Sequence, residues 1–278
     1  MPWAAVIGSP IEHSLSPVLH RAAWDSIGLD GTWVYDRIEV QADEAVDFVR
    51  TLDSQCRGLS VTMPCKQVII PALDALDPLA HAVGAVNTVI PSAGVLTGFN
   101  TDVHGIVTAL RQAREEADLP QARSAVILGA RATASSALAA LGTLGIARST
   151  VIARRFGGPG SVVPAAARLG VSIDEVMWSD TAKAASALQR ADIIISTVPA
   201  GAADELTSVW TPSDHQSLLD VTYNQPRSAL RQACESAGAC IAEATNMLIH
   251  QAALQVRLMT GHDPNIDVMR QALKDASA

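Results

Sequence analysis

Short apolar runs of strand character alternate along this chain with longer stretches of helical spacing, and that alternation points to parallel α/β units. Ala125-Val126-Ile127-Leu128 is apolar at every position, as a strand buried on both faces of a parallel sheet should be. Gly129 breaks the run, and an alanine-rich helical stretch follows to Leu144. Further strands are predicted at Trp3–Ile7, Thr32–Val40, Gly58–Thr62, Thr150–Ala153, Asp192–Thr197, Ser217–Val221 and Ala239–Ile241, with a strand pair around Ala85–Ile90 and Val95–Gly98. Ser16-Pro17 predicts a helix with Ser as N-cap and Pro at the first helical position. Other helices are predicted at Ala42–Leu52, after Lys66, and at Val103–Arg114, Pro164–Leu169, Arg227–Ala237, Met247–Met259 and Asn265–Lys274.

A length of 278 residues suits one large or two medium domains. The polar stretch Glu115–Arg123, with Pro120 inside it, is the best candidate linker. Ser124 to about Ile241 then reads as a Rossmann-like half, the segment before it as a separate α/β unit, and the closing helices could return to either. Aromatic residues make up 4%, so Ala, Val, Ile and Leu must do most of the core packing.

A net charge of −8 argues against a protein that binds nucleic acid or acidic lipid through its overall field. No charged leader precedes Trp3–Ile7, and no apolar stretch approaches the roughly 18 residues of a membrane helix. Cys56, Cys65, Cys234 and Cys240 show no CxxC or metal-ligand spacing, and the histidines form no HxxxH or HxH pair. A cytoplasmic protein with reduced thiols and no metal site is expected.

Gly129-Ala130-Arg131-Ala132-Thr133-Ala134 lies at a strand-to-helix turn, where backbone N–H groups can receive a pyrophosphate. The dinucleotide fingerprint G-x-G-x-x-G/A is only partly present, because Arg131 holds the middle glycine position. The next strand ends Val151-Ile152-Ala153-Arg154-Arg155, at the place where NAD-binding folds carry an acid for the ribose hydroxyls. Two guanidinium groups there suit a 2′-phosphate, although a solvated arginine pair at a strand end is the plainer alternative.

Reduction of a ketone needs a hydride donor, a proton donor at the oxygen, and polar groups to hold the substrate. Ser60-Val61-Thr62-Met63-Pro64-Cys65-Lys66 puts a lysine just after a strand on which Ser60 and Thr62 share a face. Ala85-Val86-Asn87-Thr88 places an amide on another strand, and Asn100-Thr101-Asp102 a carboxylate at a helix start. Each has a plain alternative: Asp102 as a cap, Lys66 as a surface residue, Asn87 in a turn, Ser14 and Ser16 as loop and cap residues.

Taken together, G-S-P-I-E-H-S-L-S-P-V-L-H (8–20), S-V-T-M-P-C-K (60–66), A-V-N-T (85–88), F-N-T-D-V-H-G (99–105), D-V-T-Y (220–223) and M-L-I-H-Q-A (247–252) resemble the shikimate dehydrogenase family. The likeness runs from about residue 3 to 275. It implies a substrate-binding, catalytic α/β domain at 1–102 and 245–278, and an NADP-binding, Rossmann-like, doubly wound domain at 103–244, with the substrate cleft between them. It also implies an oxidoreductase that reduces 3-dehydroshikimate reversibly to shikimate with NADP(H), as a monomer or homodimer, with no nucleic-acid or membrane partner. An NAD-dependent quinate/shikimate dehydrogenase and a ring-acid-binding homologue without turnover are the alternatives.

Carried over by residue, Lys66 is the proton donor and acceptor, and Asp102 binds substrate hydroxyls and orients Lys66. Ser14, Ser16 and Tyr223 match positions for the substrate carboxylate; Ser60, Thr62, Asn87 and Gln251 match positions around the ring. On the cofactor side the matches are Gly129, Ala130, Arg131, Ala132, Arg154, Arg155, Thr197, Val221 and Met247. The chain departs from the family pattern at Ser60, commonly Asn, and at Arg131 and Ala132 in place of loop glycines. Glu243-Ala244 replaces an Asp-Gly pair. Arg131 could add charge at the pyrophosphate, or its Cβ could hold the loop away.

Overall fold

The computed structural model describes residues 1–29, 31–158, 160–223 and 225–276, so Pro159 of the Gly157–Gly160 segment lies outside the described residues. The chain divides into two compact units, one of residues 1–102 with 248–278 and one of residues 103–247.

In the first unit, β1 (Trp3–Gly8), β2 (Val34–Glu39), β3 (Cys56–Val61), β4 (Ala75–Leu76), β5 (Thr88–Ser92) and β6 (Val95–Phe99) form one sheet in the order β2-β1-β3-β5-β6-β4. β1 runs parallel to β2 and β3, whereas β5 is antiparallel to both its neighbours. α1 (Ser16–Ser26), α2 (Ala45–Arg50), α3 (Cys65–Val68) and α4 (Pro78–Val83) connect the strands, and α11 (Ile266–Ala276) packs on α1. Ile7, Val49, Leu59, Ile69, Val86 and Val89 are buried in one apolar cluster on this sheet.

Three local differences from the expected elements have physical causes. α1 starts one residue early, with Leu15 as N-cap, so Ser16 is its first helical residue. The Ser14 hydroxyl, 3.3 Å away, accepts the Ser16 N–H instead. The helix after Lys66 is only the short α3, because Pro71 follows and can neither donate to a helix ladder nor tolerate one before it. α4 carries a full set of signals that periodicity overlooks in so short a segment. Asp77 accepts the Leu79 N–H at 3.0 Å, Pro78 opens the helix, and Gly84 closes it at φ 72.

The second unit holds α5 from its second residue onward (Asp102–Glu116), then β7 (Ala125–Leu128), α6 (Ala132–Thr143), β8 (Arg148–Ala153), α7 (Val162–Leu169), β9 (Ser172–Met177), α8 (Thr181–Gln189), β10 (Ile193–Ser196), β11 (Ser217–Asp220), α9 (Ala229–Ser236) and β12 (Cys240–Ala242). α10 (Ala244–Thr260) begins in this unit and ends in the first. The sheet is wholly parallel in the order β12-β11-β10-β7-β8-β9. This is the doubly wound order, whose switch point lies between β7 and β10, and ligands bind beyond the carboxyl ends of strands at such a point. β9 was not foreseen because it is an edge strand carrying Asp174 and Glu175, which leaves no apolar run to read.

The predicted linker is irregular over 117–124 but firmly fastened. Arg114, buried, donates to the Ser217 hydroxyl and the Pro120 carbonyl, both at 2.6 Å, and the Asp192 carboxylate accepts the N–H groups of Arg123 and Ser124.

Candidate active site

β3 delivers Ser60, and the chain then turns through Thr62 and a cis Met63–Pro64 bond into α3, which carries Lys66. The turn lies tight against the end of β1. A Cβ built on Gly8 would stand 2.5 Å from the Met63 carbonyl oxygen and from Thr62 Cγ2, so only glycine fits. Ser9 N–H donates to that same carbonyl at 2.9 Å.

Lys66 Nζ donates to Asp102 Oδ2 at 2.6 Å, with side-chain exposures of 15% and 6%. A carboxylate this buried needs further donors, and Asn87 Nδ2 supplies one to Oδ1 at 2.8 Å. The Asn87 amide is held the other way round by Thr101 N–H, 2.7 Å from its Oδ1. A backbone N–H can only donate, so the orientation of this amide is fixed. Asn87 Nδ2 also reaches Thr101 Oγ1 at 2.8 Å and Gln251 Oε1 at 3.3 Å. Lys66, Asn87, Asp102 and Gln251 therefore converge on one polar cluster, although Lys66 and Asp102 lie 36 positions apart.

Ser60 lies deeper, 3% exposed. Its hydroxyl donates to Gln255 Oε1 at 2.8 Å and accepts from the Tyr35 hydroxyl at 2.6 Å. One lone pair is left, so Ser60 can accept from a ring hydroxyl but cannot donate to one. Neither Tyr35 nor Gln255 was among the expected site residues. Gln255 follows Gln251 by one helical turn on the same face of α10, a spacing that could have flagged it.

Ser14 and Ser16 are both buried at the entrance to α1. The Arg37 guanidinium grips the Ser14 carbonyl with Nε and Nη2 at 2.9 and 2.7 Å. The Tyr35 hydroxyl, donating to Ser60, has its pKa raised chiefly by burial. Beneath them, His20 stacks on Tyr35 with ring centroids 4.1 Å apart, and its Nδ1–H donates to the Ser16 carbonyl at 2.9 Å. Burial pushes the pKa of His20 down to about 4, against the small raising effect of that bond.

The second unit presents a cleft of about 580 Å³ at its topological switch point, lined by Gly129, Arg131, Arg154, Arg155, Thr197 and Glu205 among others. Gly129 has φ 104, and a Cβ there would stand 2.4 Å from Thr197 Oγ1, so the close turn requires glycine. Arg131 is the N-cap of α6 with extended backbone (φ −106, ψ −164) and makes no side-chain cap bond, so its Cβ costs no strain and the first-turn N–H groups stay free of it. The following loop folds back onto this turn, with Val162 N–H donating to the Ala130 carbonyl at 3.0 Å. Arg131 Nη1 lies 3.7 Å from a Cβ built on Gly158, which turns its guanidinium toward the segment after Arg154 and Arg155. No carboxylate pairs with Arg131, Arg154 or Arg155 among the described residues. Glu205 is occupied by the Trp178 indole N–H. A helix N-terminus beside three uncommitted guanidinium groups fits a dinucleotide with an additional phosphate.

The remaining expected cofactor residues lie apart from that cleft's lining. Ala132 is the first residue of α6, Val221 N–H donates to the Ser196 carbonyl at 3.0 Å just past β11, and Met247 is buried in the first turn of α10. Tyr223 follows Val221 in the second unit. Ala244 opens α10 without a positive φ, so it replaces glycine there without strain, and Glu243 is forked by Arg231 at 3.0 and 2.6 Å. Among the described residues no group of three His, Cys, Asp or Glu could hold a metal ion, and no helix is long and apolar enough to cross a membrane.

Known proteins match two segments of the chain at family level and nearly all of it as relatives. Residues 6–89 match the family described as shikimate dehydrogenase substrate binding domain, and residues 245–274 the shikimate 5'-dehydrogenase C-terminal domain. The chain is 36% identical to the shikimate dehydrogenase (NADP(+)) of Methanopyrus kandleri, over 96% of this chain and 93% of that one. The crystal structure of Mycobacterium tuberculosis shikimate dehydrogenase superposes with a TM-score of 0.86 at 32% identity, covering 99% of this chain and 100% of the other. That of the Thermus thermophilus shikimate 5-dehydrogenase in complex with NADP(H) and shikimate superposes with a TM-score of 0.81 at 25% identity, covering 99% and 100%.

Proposed function

The chain belongs to the shikimate dehydrogenase family, and from that premise we propose that it reduces 3-dehydroshikimate reversibly to shikimate with NADPH. The observation that carries this reading is the 2.6 Å pair of Lys66 and Asp102, backed by Asn87 in a nearly closed polar cluster. Residues 1–102 with 245–278 take the ring acid, and residues 103–244 take the cofactor.

NADPH, when bound, supplies the hydride that goes to the carbonyl carbon. Lys66 Nζ gives a proton to the carbonyl oxygen as the ketone becomes an alcohol, and in the reverse direction takes it back. Asp102 keeps the ammonium aimed and accepts from a ring hydroxyl; Asn87, Gln251 and Thr62 bind the other hydroxyls. Ser60 accepts with its one remaining lone pair. Ser14, Ser16 and Tyr223 receive the carboxylate. Gly129, Ala130, Ala132 and Arg131 would cradle the phosphates at the start of α6, Arg154 and Arg155 would hold the 2′-phosphate, and Thr197, Val221 and Met247 would line the rest of the cofactor's path. The protein works as a monomer or homodimer in the cytoplasm, a reducing compartment that suits its free thiols.

Adding shikimate with NADP⁺ should raise the absorbance of the reduced nicotinamide band, and NAD⁺ should do so far less well. Signal with NAD⁺ and quinate alone would move the assignment to a quinate enzyme. Shikimate binding in the calorimeter with no turnover on either cofactor would reduce the protein to a binder.

The Arg131 geometry yields a second expected result. Arg131→Gly should weaken NADP⁺ binding about tenfold, the equivalent of roughly 1.4 kcal/mol for one charged contact to phosphate. Calorimetry with 2′,5′-ADP and with 5′-ADP checks it. Tighter binding of both by Arg131→Gly would mean that the arginine obstructs the loop.

A further inference from the structure

Two backbone groups fix the direction of a long string of buried hydrogen bonds in the first unit. The Asn87 carbonyl can only accept, and Gln255 Nε2 lies 3.0 Å from it, so this edge of the Gln255 amide is its NH₂. The same NH₂ donates to Thr88 Oγ1 at 3.0 Å. The Thr88 hydroxyl therefore turns its proton to Asn87 Oδ1 at 2.8 Å, beside the Thr101 N–H that already marks that atom as the oxygen. Asn87 Nδ2 then faces Asp102 Oδ1. At the other end, Gln255 Oε1 takes the Ser60 proton, and Ser60 Oγ takes that of Tyr35.

Every bond in the series thus donates toward Asp102, running Tyr35, Ser60, Gln255, Thr88, Asn87. Bonds aligned head to tail in a dry interior polarise one another, and a carboxylate is the natural acceptor for their sum. Ser60, Asn87, Thr88 and Gln255 are each no more than 3% exposed, so no water competes for these groups.

We propose that Gln255 is a positioning residue for the reaction: by orienting the Thr88 hydroxyl it gives Asn87 Oδ1 a second donor beside the Thr101 N–H, which tightens the Asn87 amide against Asp102 and so steadies the carboxylate that aims Lys66. Gln255 touches none of the reacting atoms. This inference rests on the dehydrogenase reading given above, and it also explains why a serine at position 60 serves here. Its hydroxyl accepts a hydrogen bond from Tyr35 while donating its own to Gln255 Oε1.

The test compares kcat, KM and melting temperature for wild type, Thr88→Val, Thr88→Ser, Gln255→Met and the Gln255→Met/Thr88→Val double variant. Thr88→Val keeps the shape and removes the hydroxyl; it should lower kcat at least tenfold with KM for NADP⁺ unchanged, and Thr88→Ser should recover most of the loss. Gln255→Met should give a loss similar to Thr88→Val, and the double variant should be no slower than the worse single, since both cut the same string. Losses that multiply in the double variant, or full kcat in Thr88→Val, would overturn the proposal. If Gln255→Met does not fold, Thr88→Val against Thr88→Ser decides alone. Wild-type protein that fails to oxidise shikimate with NADP⁺ would bring down the functional reading, and this inference with it.

Discussion

Lys66→Ala lowers kcat about 10²–10⁴-fold, the range for loss of a positioned proton donor, while the dissociation constant of shikimate moves only a fewfold. The asymmetry follows from the geometry. Lys66 Nζ is spent on Asp102 in the resting site; in the proposed role its contact with the substrate oxygen would strengthen as charge develops there, so its removal should fall on the transition state rather than on the ground state. Asp102→Asn should behave differently, because in the proposed role Asp102 both aims the lysine and accepts from the ring, so turnover and binding should fall together. Single-turnover rates and calorimetric titration on the same protein separate these outcomes. Equal losses of kcat and affinity in Lys66→Ala would make the lysine a binding group and remove the chemical step assigned to it.

The second large effect concerns stability. His20 has a pKa near 4 in the folded protein, because burial disfavours its charged form, against an ordinary value of 6.5. Between these values the unfolded chain takes up a proton that the folded one refuses, so stability rises with pH through this window and falls as the solution is acidified from 6.5 toward 4. The whole window is worth roughly 3 kcal/mol, at about 1.4 kcal/mol per pH unit, and below pH 4 this contribution changes no further. Thermal melts at intervals from pH 7 to 4 should lose several degrees. His20→Gln, whose amide can still donate to the Ser16 carbonyl, should melt lower at pH 7 but show a much flatter slope. An unchanged slope in His20→Gln would assign the acid sensitivity to other groups.

The parallel sheet of the second unit was legible because burial on both faces writes itself as uninterrupted apolar runs, as at Ala125–Leu128. The turn at Gly129 was legible for the same reason, since the run ends there. Edge strand β9 was not, because one side of it meets water and its acids break the pattern. At the site, Lys66, Asn87 and Asp102 stood out only in combination, since each type is common at a strand end or helix start. Gln255 was hidden for a deeper reason. On α10 its one-turn spacing from Gln251 marks a shared polar face, but its meaning lies in Ser60, 195 positions away. Long-range hydrogen bonds have no period, so the residues that hold others in place escape a reading built on periodicity. The Arg131 departure was visible but ambiguous, and the extended backbone at that residue removes the steric objection to it.

The first unit is assembled from both ends of the sequence, residues 1–102 and 248–278. During synthesis, then, Lys66, Asn87 and Asp102 emerge early but wait for Gln251 and Gln255, with the whole second unit made in between. Domains tend to fold in order as they leave the ribosome, but Ser60 and Thr88 lack their glutamine partner until α10 is made. A nascent chain that ends before α10 therefore carries Lys66, Asn87 and Asp102 without the two glutamines that bond Asn87 in the complete fold.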